Sequence, residues 1–293
     1  PGANYQTGEV WSVGLQWSGN TRHLVEKLPT GRTSIGAGEL LLPGEVILAS
    51  GEEYAAPSLV VSYSAEGIDG ITDRHYRWLR SRPHHPSVVR PRPLTLNVWE
   101  AVYFEHNLEK LTQLADVAQT IGVERFVLDD GWFGSRRNDQ SGLGDWVVSK
   151  DVWPRGLKPL IDVVKSRGME FGLWFEGEMV NPDSDLFRQH PDWILQVEGR
   201  TPPKGRHQQV LDLTHQGAYD HVFGQVSALL SEYDIAYIKW DHNRTLTDAA
   251  HFGRAAVREQ TKAIYRLFDE LKLRHPGLEI ESCSSGGGRI DLG

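Results

Sequence analysis

Acidic residues recur beside tryptophans along the chain: Trp99-Glu100, Asp129-Asp130-Gly131-Trp132, Trp174-Phe175-Glu176 and Lys239-Trp240-Asp241. This pairing suits a neutral polyol. An indole face stacks on the apolar C–H face of a sugar, and carboxylates accept hydrogen bonds from its hydroxyls. Paired carboxylates are also the apparatus of glycoside hydrolysis, in which a retaining enzyme holds a nucleophile and an acid/base roughly 5–5.5 Å apart. Asp241 is the candidate nucleophile. Lys239 precedes it by two residues, so on a strand both side chains point to one face. A cation there keeps a carboxylate ionised, or holds a sugar hydroxyl itself. A structural salt bridge is the plainer role for Lys239, and core filling is the plainer role for any single tryptophan.

Other chemistries are less well supported. Asp129-Asp130 is a minor candidate for a metal, because hard cations draw three or more oxygen ligands and an adjacent Asp pair does not supply that geometry. The expectation is hydroxyl recognition, with no metal and no cofactor. The twelve histidines show no His-Glu-x-x-His spacing, which argues against a zinc hydrolase. Cys283 as a nucleophile would need a partner histidine; a small apolar wall residue is the simpler reading. Ser285-Gly286-Gly287-Gly288 resembles a phosphate loop but lacks the Lys-Ser/Thr of a Walker sequence, and no Gly-x-Gly-x-x-Gly follows the first barrel strand.

The net charge of −8 argues against a nucleic-acid partner, whose phosphates need a basic stripe. No apolar run approaches the ~20 residues of a membrane helix. The single cysteine rules out a disulfide within the chain and points to a reducing, cytoplasmic setting.

These residues need elements to hold them. Residues 1–80 carry short β-rich runs, at 9–17, 45–49 and 58–63, and then a helical stretch at 67–80. A proline-rich linker covers 81–93. From Leu94 onward strand and helix alternate. Strands are expected near 94, 125, 169, 235 and 278, with helices over 107–121, 157–167, 183–190, 216–232 and 253–274. Such alternation builds a parallel sheet. Each strand ends in polar or acidic residues, and the C-terminal strand ends are where a (β/α)8 barrel carries its site.

Four motifs in order carry a resemblance: Asp129-Asp130-Gly131-Trp132-Phe133-Gly134, Trp174-Phe175-Glu176-x-Glu178-Met179-Val180-Asn181-Pro182, Lys239-Trp240-Asp241-x-Asn243 and Cys283-Ser284-Ser285-Gly286-Gly287-Gly288-Arg289. Together they resemble the α-galactosidases of glycoside hydrolase family 36. The resemblance implies a TIM barrel from residue 94 on, with about five of its eight units present. It also implies that residues 1–80 end an N-terminal β-sandwich domain. By resemblance, Asp241 is the nucleophile, and Asp129 and Asp130 hold the galactose hydroxyls at C4 and C6. Trp99 and Trp174 are pocket aromatics, and Arg206 is a basic residue at the pocket mouth. Lys239, Asn243, Cys283 and Gly286 contact the sugar. Gly177 departs from the family's usual proline, which is expected to loosen that turn.

The family's acid/base is an Asp on the next strand, past the Gly-Gly-Gly-Arg motif, and Asp291 lies inside the tail of that motif. The chain is therefore expected to be partial, to lack its acid/base and to be inactive alone. The implied activity is retaining hydrolysis of terminal α-galactose from substrates such as melibiose and raffinose, by an enzyme that often forms tetramers. Two alternatives stay open: a related α-N-acetylgalactosaminidase or transglycosylase, and a non-catalytic galactose-binding fragment.

Overall fold

The computed structural model describes residues 2–83, 85, 88 and 90–293. It divides into two compact units, Pro1–Arg92 with Ile290–Gly293, and Pro93–Arg289. Of the expected linker, His84, Pro86, Ser87 and Val89 lie outside the described residues.

In the first unit, β1 (Val10–Leu15) pairs antiparallel with β4 (Leu59–Ser64), and β2 (Thr21–Lys27) pairs antiparallel with β3 (Thr33–Glu39). Helix α1 (Gly67–Ser81) follows. The strand expected at 45–49 does not form. Leu42 N–H donates to the Glu45 carboxylate, which closes a turn there, and Ile47 and Leu48 are exposed with no sheet partner.

The second unit contains a five-stranded parallel sheet of β5 (Thr95–Asn97), β6 (Arg125–Leu128), β7 (Glu170–Phe175), β10 (Tyr237–Trp240) and β13 (Glu279–Ser282). The spatial order follows the chain order. A doubly wound sheet would reverse direction, whereas a barrel wall does not. The crossovers carry α3 (Leu108–Thr120), α4 (Lys158–Ser166), α6 (Gln216–Glu232) and α7 (Val257–Arg274). Each helix buries an i, i+3, i+4 stripe, such as Val257, Thr261, Ile264, Leu267 and Leu271 on α7. Asn107 caps α3 by accepting from Lys110 N–H, and Pro159 starts α4. Among the described residues no helix is long and apolar enough to cross a membrane.

Three features differ from the sequence-based expectation. The first strand stops at Asn97, whose side chain accepts from Trp99 N–H, so Trp99 rides on a single helical turn, α2 (Trp99–Val102). The last helix starts at Val257, because 250–255 form a hairpin, β11 (Ala250–His251) with β12 (Arg254–Ala255). A further short pair, β8 (Met179–Val180) with β9 (Gln209–Val210), flanks the small helix α5 (Asp185–Gln189). Two-residue strands carry too little alternation to be read from sequence.

Alternation along the sheet separates two faces. Phe126, Leu128, Phe171, Leu173, Phe175, Ile238 and Trp240 are fully or almost fully buried and make up one of them; Trp240 meets Phe268 of α7 edge-on. The other face is polar. At its base, Arg125 donates to Glu170 (2.8 Å) and Glu279 (2.9 Å) and lies 4.3 Å from the Tyr237 ring. β6 and β13 are three strands apart, which in a flat sheet is about 14 Å. One guanidinium touches both carboxylates because the sheet curls around it. Gly172 makes room for this cluster, since a Cβ there would stand 2.8 Å from the Tyr237 ring.

Arg125→Met removes the charge and keeps much of the side-chain volume. It should lower unfolding stability by about 3–5 kcal/mol, the range for breaking a buried ion pair, measured by urea unfolding; an unchanged midpoint would show that the clasp does not hold the curl.

Candidate active site

A cavity of about 410 Å³ opens at the C-terminal strand ends. Its lining includes all ten residues singled out in the sequence: Trp99, Asp129, Asp130, Trp174, Arg206, Lys239, Asp241, Asn243, Cys283 and Gly286. Glu100, Arg136, Glu281 and Ser285 complete it. Period 2 explains part of the convergence: Val127 and Asp129, Gly172 and Trp174, Lys239 and Asp241, and Glu281 and Cys283 continue the face that carries Arg125, while Trp99 is delivered by α2.

Asp241 is 7% exposed and is gripped on both oxygens. Oδ2 accepts from Asn243 Nδ2 (2.7 Å) and Trp174 Nε1 (3.2 Å), and Oδ1 accepts from His242 N–H (2.9 Å) and Ser285 N–H (3.2 Å). Burial pushes its pKa up, but the hydrogen bonds from Asn243, Cys283 and His242, with the Lys239 charge, outweigh burial and hold it below the ordinary value. Burial and the neighbouring Asp241 push the Cys283 thiol up to about 11, so it is no thiolate nucleophile at neutral pH.

The adjacent aspartates are held differently. Asp129 takes Lys239 Nζ at 2.8 Å and the Asn97 amide at 2.5 Å, and its Oδ1 accepts the N–H of Asp130. Asp130 receives one edge of the Arg136 guanidinium, Nε at 2.9 Å and Nη2 at 2.7 Å. Burial, with repulsion from Asp129 and Asp241, leaves the Asp130 pKa raised even so. Burial lowers the Lys239 pKa, but Asp129 more than offsets this and leaves it raised. Lys239 therefore pairs with Asp129 and acts on Asp241 only through its charge. Among the described residues no group of three or more His, Cys, Asp or Glu side chains could hold a metal.

The four tryptophans separate into two roles. Trp99 and Trp174 line the cavity; Trp132 and Trp240 are core, with indole N–H groups donating to Trp174 O (2.9 Å) and Glu178 Oε1 (3.0 Å). Tyr103 and Phe104 meet the Trp99 ring edge-on and fix it. The turn at Gly177 is tight rather than loose, because a Cβ there would lie 2.3 Å from the Trp240 ring. Glu178 accepts from Arg289 (2.8 Å), which ties the Cys283–Arg289 loop under the site. Asp291 belongs to the first unit, where it accepts from Ser18 (2.9 Å).

Arg206 enters on a strained turn. Gly205 and Gln208 pair across it, and both central residues, Arg206 (φ 52) and His207 (φ 62), are left-handed without being glycine. Arg136 was not foreseen, since it lies in a loop six residues past Asp130 with no strand to place it. Glu281 was readable in principle, being two residues before Cys283 on one strand. Taken together, the cavity offers a bound carboxylate beside an indole wall, cation-paired acceptors opposite, and a basic rim.

Comparisons with known proteins place the chain in a family. The Melibiase family model matches residues 53–293, and the Glycosyl hydrolase family 36 N-terminal domain model matches residues 1–49. An alpha-galactosidase of Escherichia coli is 48% identical over all of this chain and 41% of its own length. Alpha-galactosidase AgaA of Geobacillus stearothermophilus is 38% identical over 99% of the chain and 41% of its own. A crystal structure of a GH36 alpha-galactosidase AgaA variant in complex with raffinose superposes with a TM-score of 0.93 at 36% identity, over 99% of this chain and 42% of that one. The galactosidase domain of AgaSK gives 0.91 at 36%, over 100% and 40%. The chain thus spans about two fifths of the length of the curated relatives it matches. With the match running through every strand that lines the cavity, the chain belongs to the melibiase family.

Proposed function

We propose that this chain carries the sugar-binding and nucleophile side of a retaining α-galactosidase site. In this reading five (β/α) units of an eight-unit barrel stand behind it, and residues 1–80 close an N-terminal β-sandwich domain. The observation that carries the reading is Asp241: a carboxylate kept ionised and fixed on both oxygens, beside an indole wall and facing two cation-paired aspartates.

The mechanism follows from these placements. A galactosyl residue stacks on Trp99 and Trp174, and its hydroxyls donate to Asp129 and Asp130, whose cations Lys239 and Arg136 hold them in place. Asn243, Cys283 and Gly286 complete the contacts. Asp241 attacks the anomeric carbon from the face opposite the leaving oxygen, which departs with a proton, and a glycosyl ester forms; water then displaces Asp241 from the face the leaving group vacated, so the configuration is retained. Fixing the nucleophile in advance removes the entropy of aligning it. The proton for the leaving oxygen comes from a carboxylic acid beyond this cavity lining. Asp129 and Asp130 are poor donors while bound to cations, and Glu281 pairs in register with Lys239, one layer beneath Asp241. Substrates are α-galactosides of the melibiose and raffinose type; the relative bound to raffinose supports that class. A reducing, cytoplasmic setting suits the single buried thiol, Cys283.

In the gene product that carries this chain, Asp241→Asn should lower kcat by about four orders of magnitude or more while galactose binding, read by calorimetry, survives. Full turnover would remove Asp241 from the mechanism. Nitrophenyl α-galactoside should be cleaved faster than the α-N-acetylgalactosaminide. The strained turn gives a separate expectation: Arg206→Gly should raise stability by about 0.5–1 kcal/mol and weaken galactoside binding, whereas His207→Gly should raise stability and leave binding alone. Thermal melts paired with titration calorimetry check both.

A further inference from the structure

Glu176 lies at the end of β7, is fully buried and does not line the cavity. Its two oxygens hold two separate segments of the site. Oε1 accepts the backbone N–H of Asn243 at 2.6 Å, and Asn243 in turn donates to Asp241 Oδ2 at 2.7 Å. Oε2 accepts from Gln208 Nε2 at 3.1 Å, and Gln208 closes the left-handed turn that presents Arg206. The Gln208 backbone carbonyl is taken by Arg244 at 2.6 Å, so the Glu176 contact fixes its side-chain end.

We propose that Glu176 is a positioning residue that sets the orientation of Asp241, through Asn243, and of the Arg206 turn, through Gln208. A single buried carboxyl group then fixes the nucleophile and the rim against each other, although it touches no substrate. This rests on the assignment of Asp241 as nucleophile.

The protonation of Glu176 belongs to the same arrangement. Burial first, and then the charge of Asp241, push its pKa up to about 8, with Asn243 and Arg136 opposing. Asp241 at the end of β10 and Arg136 in the loop after β6 are the charged groups that face it. At neutral pH it is a neutral acid, whose O–H donates to Gln208 Oε1 once the Gln208 amide is turned over, so it orders Asn243 and Gln208 without placing a second negative charge beside Asp241. Above about 8 that charge appears and repels the nucleophile. The sign for stability follows: the folded state holds this proton more tightly than the unfolded chain. Its contribution is full below the ordinary value of 4.5 and is lost as pH rises to about 8.

Glu176→Gln and Glu176→Ala separate positioning from bulk. A glutamine keeps an acceptor for Asn243 N–H. Its amide can donate to Gln208 Oε1, a buried atom with no partner among the described residues, once the Gln208 amide turns over. Alanine removes both contacts. With nitrophenyl α-galactoside and the gene product that carries this chain, Glu176→Ala should lower kcat/KM by about 100-fold, the cost of a misplaced reacting group. Glu176→Gln should recover most of that loss and move the alkaline limb of the rate upward. Its melting temperature should also fall less than the wild type's between pH 4.5 and about 8, a readout that needs no turnover. Wild-type rates in Glu176→Ala overturn the proposal. If Glu176→Ala does not fold, a Glu176→Gln enzyme with unchanged rate and stability profiles overturns it instead. Asp241→Asn assayed alongside isolates the other failure: turnover in that variant removes the nucleophile assignment and leaves the stability test standing.

Discussion

The curl of the parallel sheet is the constraint on which the site depends. Arg125 on β6 reaches Glu170 on the next strand and Glu279 three strands away, and it packs on Tyr237 between them. These charges leave water only because they satisfy one another; a buried guanidinium without its carboxylates costs several kcal/mol. The cluster therefore favours the curled sheet over a flat one. The same curl brings Lys239 on β10 to Asp129 beyond the end of β6, two strands away. Base and cavity are two layers of one geometry.

Within that geometry the carboxylates are made unlike one another. Asp129 and Asp130 face Lys239 and Arg136, which compensate their charge and leave them as rigid acceptors. Asp241 is held mainly by neutral donors: an amide, an indole, backbone N–H groups and a thiol. Neutral donors lower a carboxylate's pKa and fix its direction without a full counter-charge on its oxygens. Three aspartates within one small cavity thus differ in environment because their partners differ, as two carboxylates of one site do in lysozyme.

The sequence made most of this layout legible because the strand period is short. Lys239 and Asp241 share a face by counting alone, as do Glu281 and Cys283, and the alternation of strand and helix pointed to a parallel sheet. What failed had physical causes. Trp132 and Trp240 look like Trp174 in the sequence, yet face the core. For Trp240 the count that puts Lys239 and Asp241 in the cavity already puts the indole on the other face; Trp132 lies past the end of β6, where the strand period no longer says which way an indole turns. The run 45–49 has the apolar residues of a strand but no partner to pair with, and β propensity expresses packing more than backbone preference. Arg136 belongs to a loop, where spacing carries no periodicity. Trp99 was placed at the right site on the wrong element, a helical turn instead of a strand end.

Gly177 shows how the pocket and the helical layer are joined. A proline or alanine Cβ at this position would press into the Trp240 ring and onto Val222 of α6, and the Trp240 ring meets Phe268 of α7 edge-on. Trp240 lies between Lys239 and Asp241 and points the opposite way, so the indole that fills the outer core also fixes the backbone from which both polar side chains rise. Its N–H is held by Glu178, which also receives Arg289 from the loop after Cys283. Substituting Gly177 would act on Asp241 through Trp240 without any contact with the cavity. The neighbouring ring occupies the space that a side chain at position 177 would need.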